Sequence, residues 1–366
     1  MQRIYNYGSF LQAYGLRLML ESLGCEVQFV DYEPGACLVQ SHASKKGFAR
    51  KAEKALEVFC CDAPLKDKLA FIRYKRSYAE RFYPMLGLTE RLNLNPELDM
   101  LVIGSDEVFN CVQDNANVGF TPALFGQQYR AARKATYAAS FGNTTLEALE
   151  RYGKRAEVAS YLKQLDAISA RDANTGSIIA ALTGDEPVYN LDPVLAYDYF
   201  GLCDEIPTEV DEDRYMVVYG YSGRLSADEC AAVRSYACLH GLKVLNIGGV
   251  QGVCDRFVDC SPFEVLAYFK YAQAVVTDTF HGTIFSTIAH TPFAVFVRSS
   301  GYGNSEKLCD LLRRLGLENR VAVGASALAA ALEAPVDWSV SDAVVAEGRR
   351  YAQEYLAAQV ASIPGV

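Results

Sequence analysis

The chain has 366 residues, of which 51% are hydrophobic and 22% charged, a composition typical of a globular protein long enough for two domains. Its 35 Lys and Arg residues against 44 Asp and Glu residues give a net charge of -9. This excess of acid argues against a general nucleic-acid or anionic-membrane binder, because both need a basic surface. An anionic ligand would therefore have to be held by a few local donors.

Nothing in the sequence predicts export, membrane insertion or metal binding. The first ten residues lack the basic and apolar regions of a secretory signal, and the longest apolar region, residues 272–297, is interrupted by Asp278, His281 and His290. The eleven cysteines show no CxxC spacing, and no pair of histidines has the spacing of metal ligands. We therefore expect a cytoplasmic protein with reduced cysteines, no metal and no cofactor, and at most peripheral contact with the inner face of the membrane.

Short β-rich runs alternate with helical patterns in the first half of the chain, which predicts an α/β fold with mostly parallel sheets. The predicted elements are a helix at 8–23, a strand at 25–32, a basic helical stretch at 44–83, strands at 98–103 and 134–140, a helix at 146–165 and a short strand at 167–170. Residues 198–213 are acidic and rich in breakers, which makes them the best domain boundary.

The alternation restarts in the second half. It predicts strands at 214–220, 242–247, 274–277 and 292–297, and helices at 227–239, 261–271, 283–289, 305–315 and 341–358. Two successive halves of this kind predict two Rossmann-like domains, 1–205 and 206–366, that face each other across a cleft.

The most informative site follows the strand at 274–277, because ligands of open α/β sheets bind outside the carboxyl ends of strands. Thr279 can cap the next helix, which would place the N–H groups of His281, Gly282 and Thr283 where an anion is favoured. His281 can titrate near neutrality beside that anion. The segment predicts a phosphate or carboxylate site with a proton-transfer group, or alternatively a capped turn with a structural histidine.

Other candidates also follow predicted strands. Asp106 would either cap the next helix or act on the substrate, by hydrogen-bonding an acceptor hydroxyl or by serving as a base. Arg171, Arg298 and Lys307 would be either solvated surface charges or anion clamps, since a guanidinium binds phosphate bidentately. Asp192, which precedes a proline, is predicted to shape a turn. The remaining histidines, His42, His240 and His290, have weaker contexts.

Several motifs together resemble the polysaccharide pyruvyl transferase family. They are NYGSFLQAYGL (6–16), GSDEVFN (104–110), AASFG (138–142), SARD (169–172), LDPVL (191–195) and TDTFHGTIFS (277–286), with PFAVF and LLRRLGLENR after them. A single motif would be weak evidence. The resemblance depends on their number and order over residues 6–320, nearly the whole chain.

The resemblance implies a GT-B-like fold, in which two Rossmann-like domains face a cleft and the final helix crosses back onto the first domain. It also implies transfer of an enolpyruvyl-derived group from phosphoenolpyruvate to two hydroxyls of a sugar, which gives a pyruvate ketal and phosphate. The expected partners are phosphoenolpyruvate, as a co-substrate, and a sugar or lipid-linked oligosaccharide acceptor of a cell-surface polysaccharide.

The histidine of the family's Ser-Phe-His-Gly motif is matched by His281, which the resemblance implies is catalytic. As a mechanistic hypothesis, His281 protonates the methylene carbon or takes the hydroxyl proton, and Asp106 orients the acceptor from the opposite domain. The residues expected to bind the donor are Thr279, Gly282, Thr283, Arg171, Arg298 and Lys307. The residues expected to bind the acceptor are Asn6, Tyr7, Gly8, Ser105, Asn110 and Ser140.

The sequence also departs from the family pattern. Relatives usually have a full β-strand before the Asn-Tyr-Gly loop, whereas Met1–Tyr5 precede it here, so that either residues 2–5 form a strand stub or the native start lies upstream. Glu107 and Phe109 replace the usual Gln and Trp of the Gly-Ser-Asp motif. Thr279 replaces the usual Ser, and Lys307 stands where relatives often have Arg.

Two alternative functions stay open at this point. One is a glycosyltransferase that uses a nucleotide-sugar donor in the same cleft. The other is a non-catalytic member that binds a sugar polymer. Binding of nucleotide sugars, of phosphoenolpyruvate or of neither would discriminate among the three.

Overall fold

The computed structural model describes residues 1–39, 61–298 and 305–364. Its strands are β1 Leu98–Gly104, β2 Ala131–Tyr137, β3 Ser169–Ala170, β4 Val188–Tyr189, β5 Tyr215–Tyr219, β6 Lys243–Ile247, β7 Arg256–Phe257, β8 Ala274–Thr277 and β9 Phe293–Val295. Its α-helices are α1 Tyr7–Glu21, α2 Leu65–Phe82, α3 Leu146–Arg151, α4 Arg155–Leu162, α5 Ala173–Thr183, α6 Pro193–Ala196, α7 Tyr199–Leu202, α8 Ala227–His240, α9 Pro262–Tyr271, α10 Phe280–Ile288, α11 Ser305–Leu315, α12 Leu328–Glu333 and α13 Trp338–Ala361.

The sheet of the first half is parallel throughout. Strand β1 pairs with β2, and β3 pairs with β4. Isolated bridges between Ala135 and Ala167 and between Ala139 and Ala170 join β2 to β3. The strands therefore follow one another across the sheet in chain order, with their carboxyl ends at the same edge.

The sheet of the second half has five parallel strands in the order β7-β6-β5-β8-β9. Every residue of β5 and β8 is buried, as expected for central strands covered on both faces. The order reverses between β5 and β8, and the carboxyl end of such a switch point is where open α/β sheets bind ligands. The predicted fold class, α/β with two Rossmann-like domains in a GT-B-like arrangement, is confirmed.

Local sequence explains where the helices of the second half begin and end. Ser226 with Glu229, and Ser261 with Glu264, form complete capping boxes at the starts of α8 and α9. Pro262 occupies the first turn of α9, where its missing N–H costs no hydrogen bond. Gly241, in a left-handed conformation, ends α8.

The final helix, α13, packs back onto the first half, as the resemblance implied. Tyr355 donates a hydrogen bond of 2.8 Å to the carbonyl of Thr136 in β2. Arg133 donates to the side-chain oxygen of Gln359, and Arg349 donates to the carbonyl of Leu195.

Helix α1 packs on both halves. Phe10 contacts Phe263 of α9 edge to face with ring centroids 5.9 Å apart, and Tyr14 contacts the same ring at 4.9 Å. The Tyr7 hydroxyl donates to the carbonyl of Cys260. One cluster of buried apolar residues includes α1, α6, β5 and α9, so that the two halves share a core. The domain division at residue 205 stays a prediction.

The predicted strand at 25–32 is wrong, because this segment has no regular secondary structure and pairs with no strand among the described residues. It lines a cavity of about 620 Å³ of mixed polar and apolar character, which is also lined by β1 and α1. A segment is a strand only when its backbone hydrogen-bonds a neighbouring strand. Among the described strands, β1 pairs with β2 alone. Residues 2–5 form turns rather than a strand stub, and Gln2 and Arg3 bind the Asp31 carboxylate.

Two predicted helices have different bounds. The predicted helix at 146–165 is two helices, because Gly153 has a φ of 64° and stops the first of them. The helix predicted at 283–289 begins at Phe280, so that His281 lies inside its first turn. Of the helical stretch predicted at 44–83, the structure describes residues 61–83, in which α2 covers Leu65–Phe82.

Within residues 1–39, 61–298 and 305–364, no helix is long and apolar enough to cross a membrane. Across those same residues, every cysteine is a free thiol.

We predict that Phe10→Ala lowers the free energy of unfolding by about 3–5 kcal/mol, because it removes a fully buried ring from the core that both halves share. Urea unfolding followed by circular dichroism measures the change. The control is Leu239→Ala, whose side chain is 77% exposed and whose loss should change stability by less than about 0.5 kcal/mol. A Phe10→Ala protein as stable as this control would contradict the shared core.

Candidate active site

A cavity of about 190 Å³ lies between the two halves, outside the carboxyl ends of β5 and β8. Its walls come from the start of α1, the loop after β1, α2, the residue after β3, and the starts of α10 and α11. The polar and ionisable residues that line it include Asn6, Ser9, Lys75, Asp106, Glu107, Arg171, Tyr221, Arg224, Thr279, His281 and Lys307.

His281 enters the cavity from the first turn of α10. Thr279 is the N-cap of this helix and accepts a hydrogen bond of 3.0 Å from the N–H of Gly282. The backbone of Gly8 in α1 packs against the imidazole ring so closely that a Cβ there would overlap Cγ and Nδ1. Gly8 is thus required by the approach of the two halves at the histidine.

A buried polar network lies behind His281. Its Nε2 is 2.7 Å from the amide nitrogen of Gln12, which also hydrogen-bonds the carboxylate of Asp192. Arg171 is 3.0 Å from Asp192, and both side chains are at most 3% exposed. Burial raises the pKa of Asp192, but His281, Arg171 and the N–H of Val194 outweigh it and hold the pKa below its usual value.

Asp106 lies across the cavity from His281, on the loop after β1. It has a φ of 63°, a left-handed conformation that aspartate tolerates better than most residues and that recurs at functional sites. Ser9 donates a hydrogen bond of 3.1 Å to its carboxylate. Burial raises the pKa of Asp106, but Arg171, His281 and Lys307 together lower it below its usual value, so the group is a carboxylate at neutral pH. Asp106 caps no helix, because a turn follows it.

Lys307 reaches the cavity from α11 and pairs with Glu107 of the opposite half. The ring of Phe280 lies between two cations, with Arg171 at 4.5 Å and Lys307 at 6.0 Å from its centroid. Among the described residues, four cationic side chains and two carboxylates line the cavity. Asp192 and Asp278, which lie behind the lining, pair with Arg171 and Arg224, so the excess of cations is confined to the surface that faces the cavity.

The outer rim of the cavity is aromatic and basic. Asn6 caps α1 and donates a hydrogen bond of 2.9 Å to the Tyr221 hydroxyl of the other half. The Arg224 guanidinium lies 4.4 Å from the centroid of the Tyr221 ring and 3.6 Å from the Asp278 carboxylate. Lys75 donates to the carbonyl of Tyr5. Aromatic faces beside hydrogen-bonding groups suit a sugar ring.

Part of the predicted donor set lies outside the cavity. Arg298 binds Glu229 at 2.6 Å and Asp278 at 3.3 Å, so it supports the rim rather than facing it. The N–H groups of Gly282 and Thr283 bond to the side chain and carbonyl of Thr279. These two amides are therefore already satisfied, which corrects the expectation that they hold an anion.

Part of the predicted acceptor set is also structural. Ser105 donates to the carbonyl of Ala138, and Ser140 donates to Asp172. Asn110 donates to Glu107 and accepts from Thr144. Asn6 and Tyr7 line the cavity, although the Tyr7 ring is buried in the shared core. Among the described residues, no cluster of three His, Cys, Asp or Glu side chains could hold a metal ion.

Sequence reasoning missed Gln12, and it assigned Asp192 only to a turn. Asp192 does cap α6, but it also joins Arg171 to the histidine network. A signal was available for Gln12, because it and Ser9 lie three residues apart on one face of α1, in a stretch up to Leu16 whose other residues are glycine, aromatic or aliphatic. Arg171 pairs with Asp192 rather than with its neighbour Asp172, which caps α5 instead.

The sequence profile described as polysaccharide pyruvyl transferase matches residues 6–300 of this chain. The chain is similar to the solved structure of a putative UDP-N-acetylglucosamine 2-epimerase from Listeria monocytogenes, with 10% identity, a TM-score of 0.39, and coverage of 87% of this chain and 76% of that one. It is also similar to a mutant O-GlcNAc transferase from Thermobaculum terrenum, with 12% identity, a TM-score of 0.33, and coverage of 97% and 81%. No curated protein matches the sequence.

We predict that Gly8→Ala destabilises the protein by about 1–3 kcal/mol, although alanine normally stabilises a helix relative to glycine. The added Cβ would overlap the imidazole of His281, so one of the two elements must move. Urea unfolding measures the loss. Gly252→Ala is the control, since its Cβ would meet its nearest atom at 3.5 Å. The double variant Gly8→Ala/His281→Ala should recover most of the loss, and no recovery would contradict this contact.

We predict that Asp106→Asn makes stability less dependent on pH below about pH 4. The pKa of Asp106 is lower in the folded protein than in the unfolded chain, whose value is about 3.9. Its contribution is therefore present above pH 4 and is lost as the pH falls through the folded value. Urea unfolding at a series of pH values measures the slope, which should fall by less than one bound proton, about 1.4 kcal/mol per pH unit. Equal slopes for both proteins would contradict the prediction.

Proposed function

This chain belongs to the polysaccharide pyruvyl transferase family, and we propose that it transfers an enolpyruvyl-derived group from phosphoenolpyruvate to two hydroxyls of a sugar. The observation that supports this proposal is the juxtaposition of a histidine, a carboxylate and two cations in one small cavity. The products are a pyruvate ketal on a cell-surface polysaccharide or its precursor, and phosphate.

The charges of the cavity fit a small, highly anionic donor. Phosphoenolpyruvate has a phosphate and a carboxylate, and Arg171 and Lys307 flank the ring of Phe280 on the donor side. A volume of about 190 Å³ is below the 300–1,000 Å³ typical of sites for drug-sized ligands, which favours a small donor over a nucleotide sugar. Lys307 would exchange Glu107 for the phosphate, and Arg171 would face the carboxylate.

The first step would be addition of a sugar hydroxyl to the enol. The hydroxyl oxygen bonds to C2 of the enolpyruvyl group while His281 donates a proton to the methylene carbon, which becomes a methyl group. Asp106 orients the hydroxyl and accepts its proton. The intermediate has the sugar oxygen, the phosphate, the carboxylate and the methyl group on C2.

The second step would close the ring. A second hydroxyl of the same sugar forms a C–O bond to C2, the C2–O bond to phosphate breaks, and the phosphate leaves with the proton of that hydroxyl. Cations that hold the phosphate stabilise the charge that develops on it as it departs. The aromatic rim at Tyr221 would pack against the sugar during both steps.

We predict that phosphoenolpyruvate stabilises the protein and that Lys307→Met weakens this binding by about tenfold or more, since the change removes a cation from the cavity. At 100 times its dissociation constant a ligand adds about 2.7 kcal/mol to the free energy of unfolding, which a thermal-shift titration detects. Arg313→Met is the matched control, because Arg313 lies on the same helix with a side chain 67% exposed.

Thermal shifts with different ligands, together with a phosphate-release assay, separate the three candidate functions. His281→Gln should keep the shift with phosphoenolpyruvate and lose phosphate release by about 10²–10⁴-fold, assayed with a panel of methyl glycosides as acceptors. A shift with UDP-sugars and none with phosphoenolpyruvate would favour a glycosyltransferase. No shift with either ligand, or with inorganic phosphate, would favour a non-catalytic sugar-polymer-binding protein.

A further inference from the structure

We propose that Gln12 and Asp192 are positioning residues that engage Nε2 of His281, so that Nδ1 is the nitrogen that delivers the proton to the substrate. The inference deepens the proposed function, and it rests on that function only for the proton transfer itself. The arrangement of the ring can be observed in the protein without any ligand.

The hydrogen bonds of Gln12 define the arrangement. Its amide nitrogen is 2.7 Å from Nε2 of His281 and also hydrogen-bonds the Asp192 carboxylate. An amide nitrogen has two hydrogens, and an ionised carboxylate is only an acceptor. One hydrogen must therefore point to Asp192 and the other to Nε2, which makes Nε2 an acceptor. A neutral imidazole with Nε2 as acceptor has its hydrogen on Nδ1.

The orientation of the Gln12 amide is fixed by its surroundings. Asp192 is held by Arg171 at 3.0 Å and by the N–H of Val194 at 3.0 Å, and it is almost fully buried. His281, Arg171 and Val194 lower its pKa against the effect of burial, so it stays ionised. Turning the amide over would place a carbonyl oxygen against this carboxylate, which is repulsive. Asp192 therefore determines which end of Gln12 meets the histidine.

The charges around His281 determine what happens when the ring gains a second proton. That proton goes to Nε2, which can then no longer accept a hydrogen bond from Gln12, so the new N–H turns to the Asp192 carboxylate 3.7 Å away. Arg171 and Lys307 oppose the positive ring, whereas Asp106 and Glu107 across the cavity favour it. In both protonation states Nδ1 has a hydrogen. When the cationic ring releases it to the methylene carbon of the donor, the neutral ring keeps its hydrogen on Nε2, where Asp192 accepts it.

The proposal predicts a spectroscopic signature of the ring in the ligand-free protein. Long-range ¹H–¹⁵N spectra of the ¹⁵N-labelled full chain distinguish a protonated from a bare ring nitrogen, and with four histidines the His281 signals are assigned by their loss in His281→Gln. Above the titration of the ring, we expect a protonated Nδ1 and a bare Nε2. A protonated Nε2 in the wild-type protein would overturn the proposal.

Two variants test the roles of the positioning residues. Gln12→Leu removes the donor to Nε2 but leaves the pair of Arg171 and Asp192 intact, so the ring should move its proton to Nε2 and donate to Asp192. Asp192→Asn removes the carboxylate that orients the Gln12 amide, so Nε2 should lose its fixed donor and the ring should populate both neutral tautomers. Gln359→Leu, a buried glutamine on α13, is the control and should leave the His281 signals unchanged. Unchanged signals in Gln12→Leu would also overturn the proposal.

Steady-state kinetics then test whether the orientation of the His281 ring matters for turnover. With phosphoenolpyruvate and the methyl glycosides, Gln12→Leu should lower kcat of phosphate release by at least tenfold, while KM for phosphoenolpyruvate changes by less than about threefold. Asp192→Asn should likewise lower kcat and leave KM nearly unchanged, because the Gln12 amide is no longer oriented toward Nε2. If the spectra are as expected but phosphoenolpyruvate does not bind, the proposed function is overturned and the assignment of the ring nitrogens stays supported. Equal kcat in Gln12→Leu and wild type would overturn the positioning role.

Discussion

The carboxylate of Asp192 is the group on which the site depends, because it connects four elements inside a buried region. It caps α6, pairs with Arg171 after β3, bonds to Gln12 of α1 and faces His281 of α10. A buried charge is costly unless it is paired and hydrogen-bonded, so the loss of Arg171 would leave the Asp192 carboxylate uncompensated. The same carboxylate that stabilises the contact between the halves thereby aligns the histidine.

The parts of the site with local sequence signals could be predicted, and the parts created by contacts over long sequence distances could not. The strand that ends at Thr277, the Thr279 cap and His281 follow one another along the chain, and all three are where the sequence indicates. Gln12 and Asp192 are 180 residues apart, and no local pattern shows that they meet. The strand predicted at 25–32 has the right alternation, but a strand also needs a partner, which its own residues do not specify. Gly153 shows the converse, since one residue with a left-handed backbone divides a helix whose apolar pattern continues.

The electrostatics of the cleft resolve an apparent conflict with the composition. The net charge of the protein is negative, yet the described residues that line the cavity include twice as many cations as carboxylates. The field that a ligand meets at close range depends on these neighbours, since charges more than about 8–10 Å away are screened by physiological salt. The ion pair of Glu107 and Lys307 holds a cation in the cleft without leaving its charge uncompensated.

The shared core around α1 limits how proteins with this architecture can be recombined. Because α1 packs against α9 through Phe10 and Tyr14 while its polar face holds the site together, the chain cannot be divided at residue 205 into two independent modules. A recombinant that joined the first half of one relative to the second half of another would separate this helix from the surface to which it is fitted. Exchange would succeed only where α1 is transferred together with the half that contains α9.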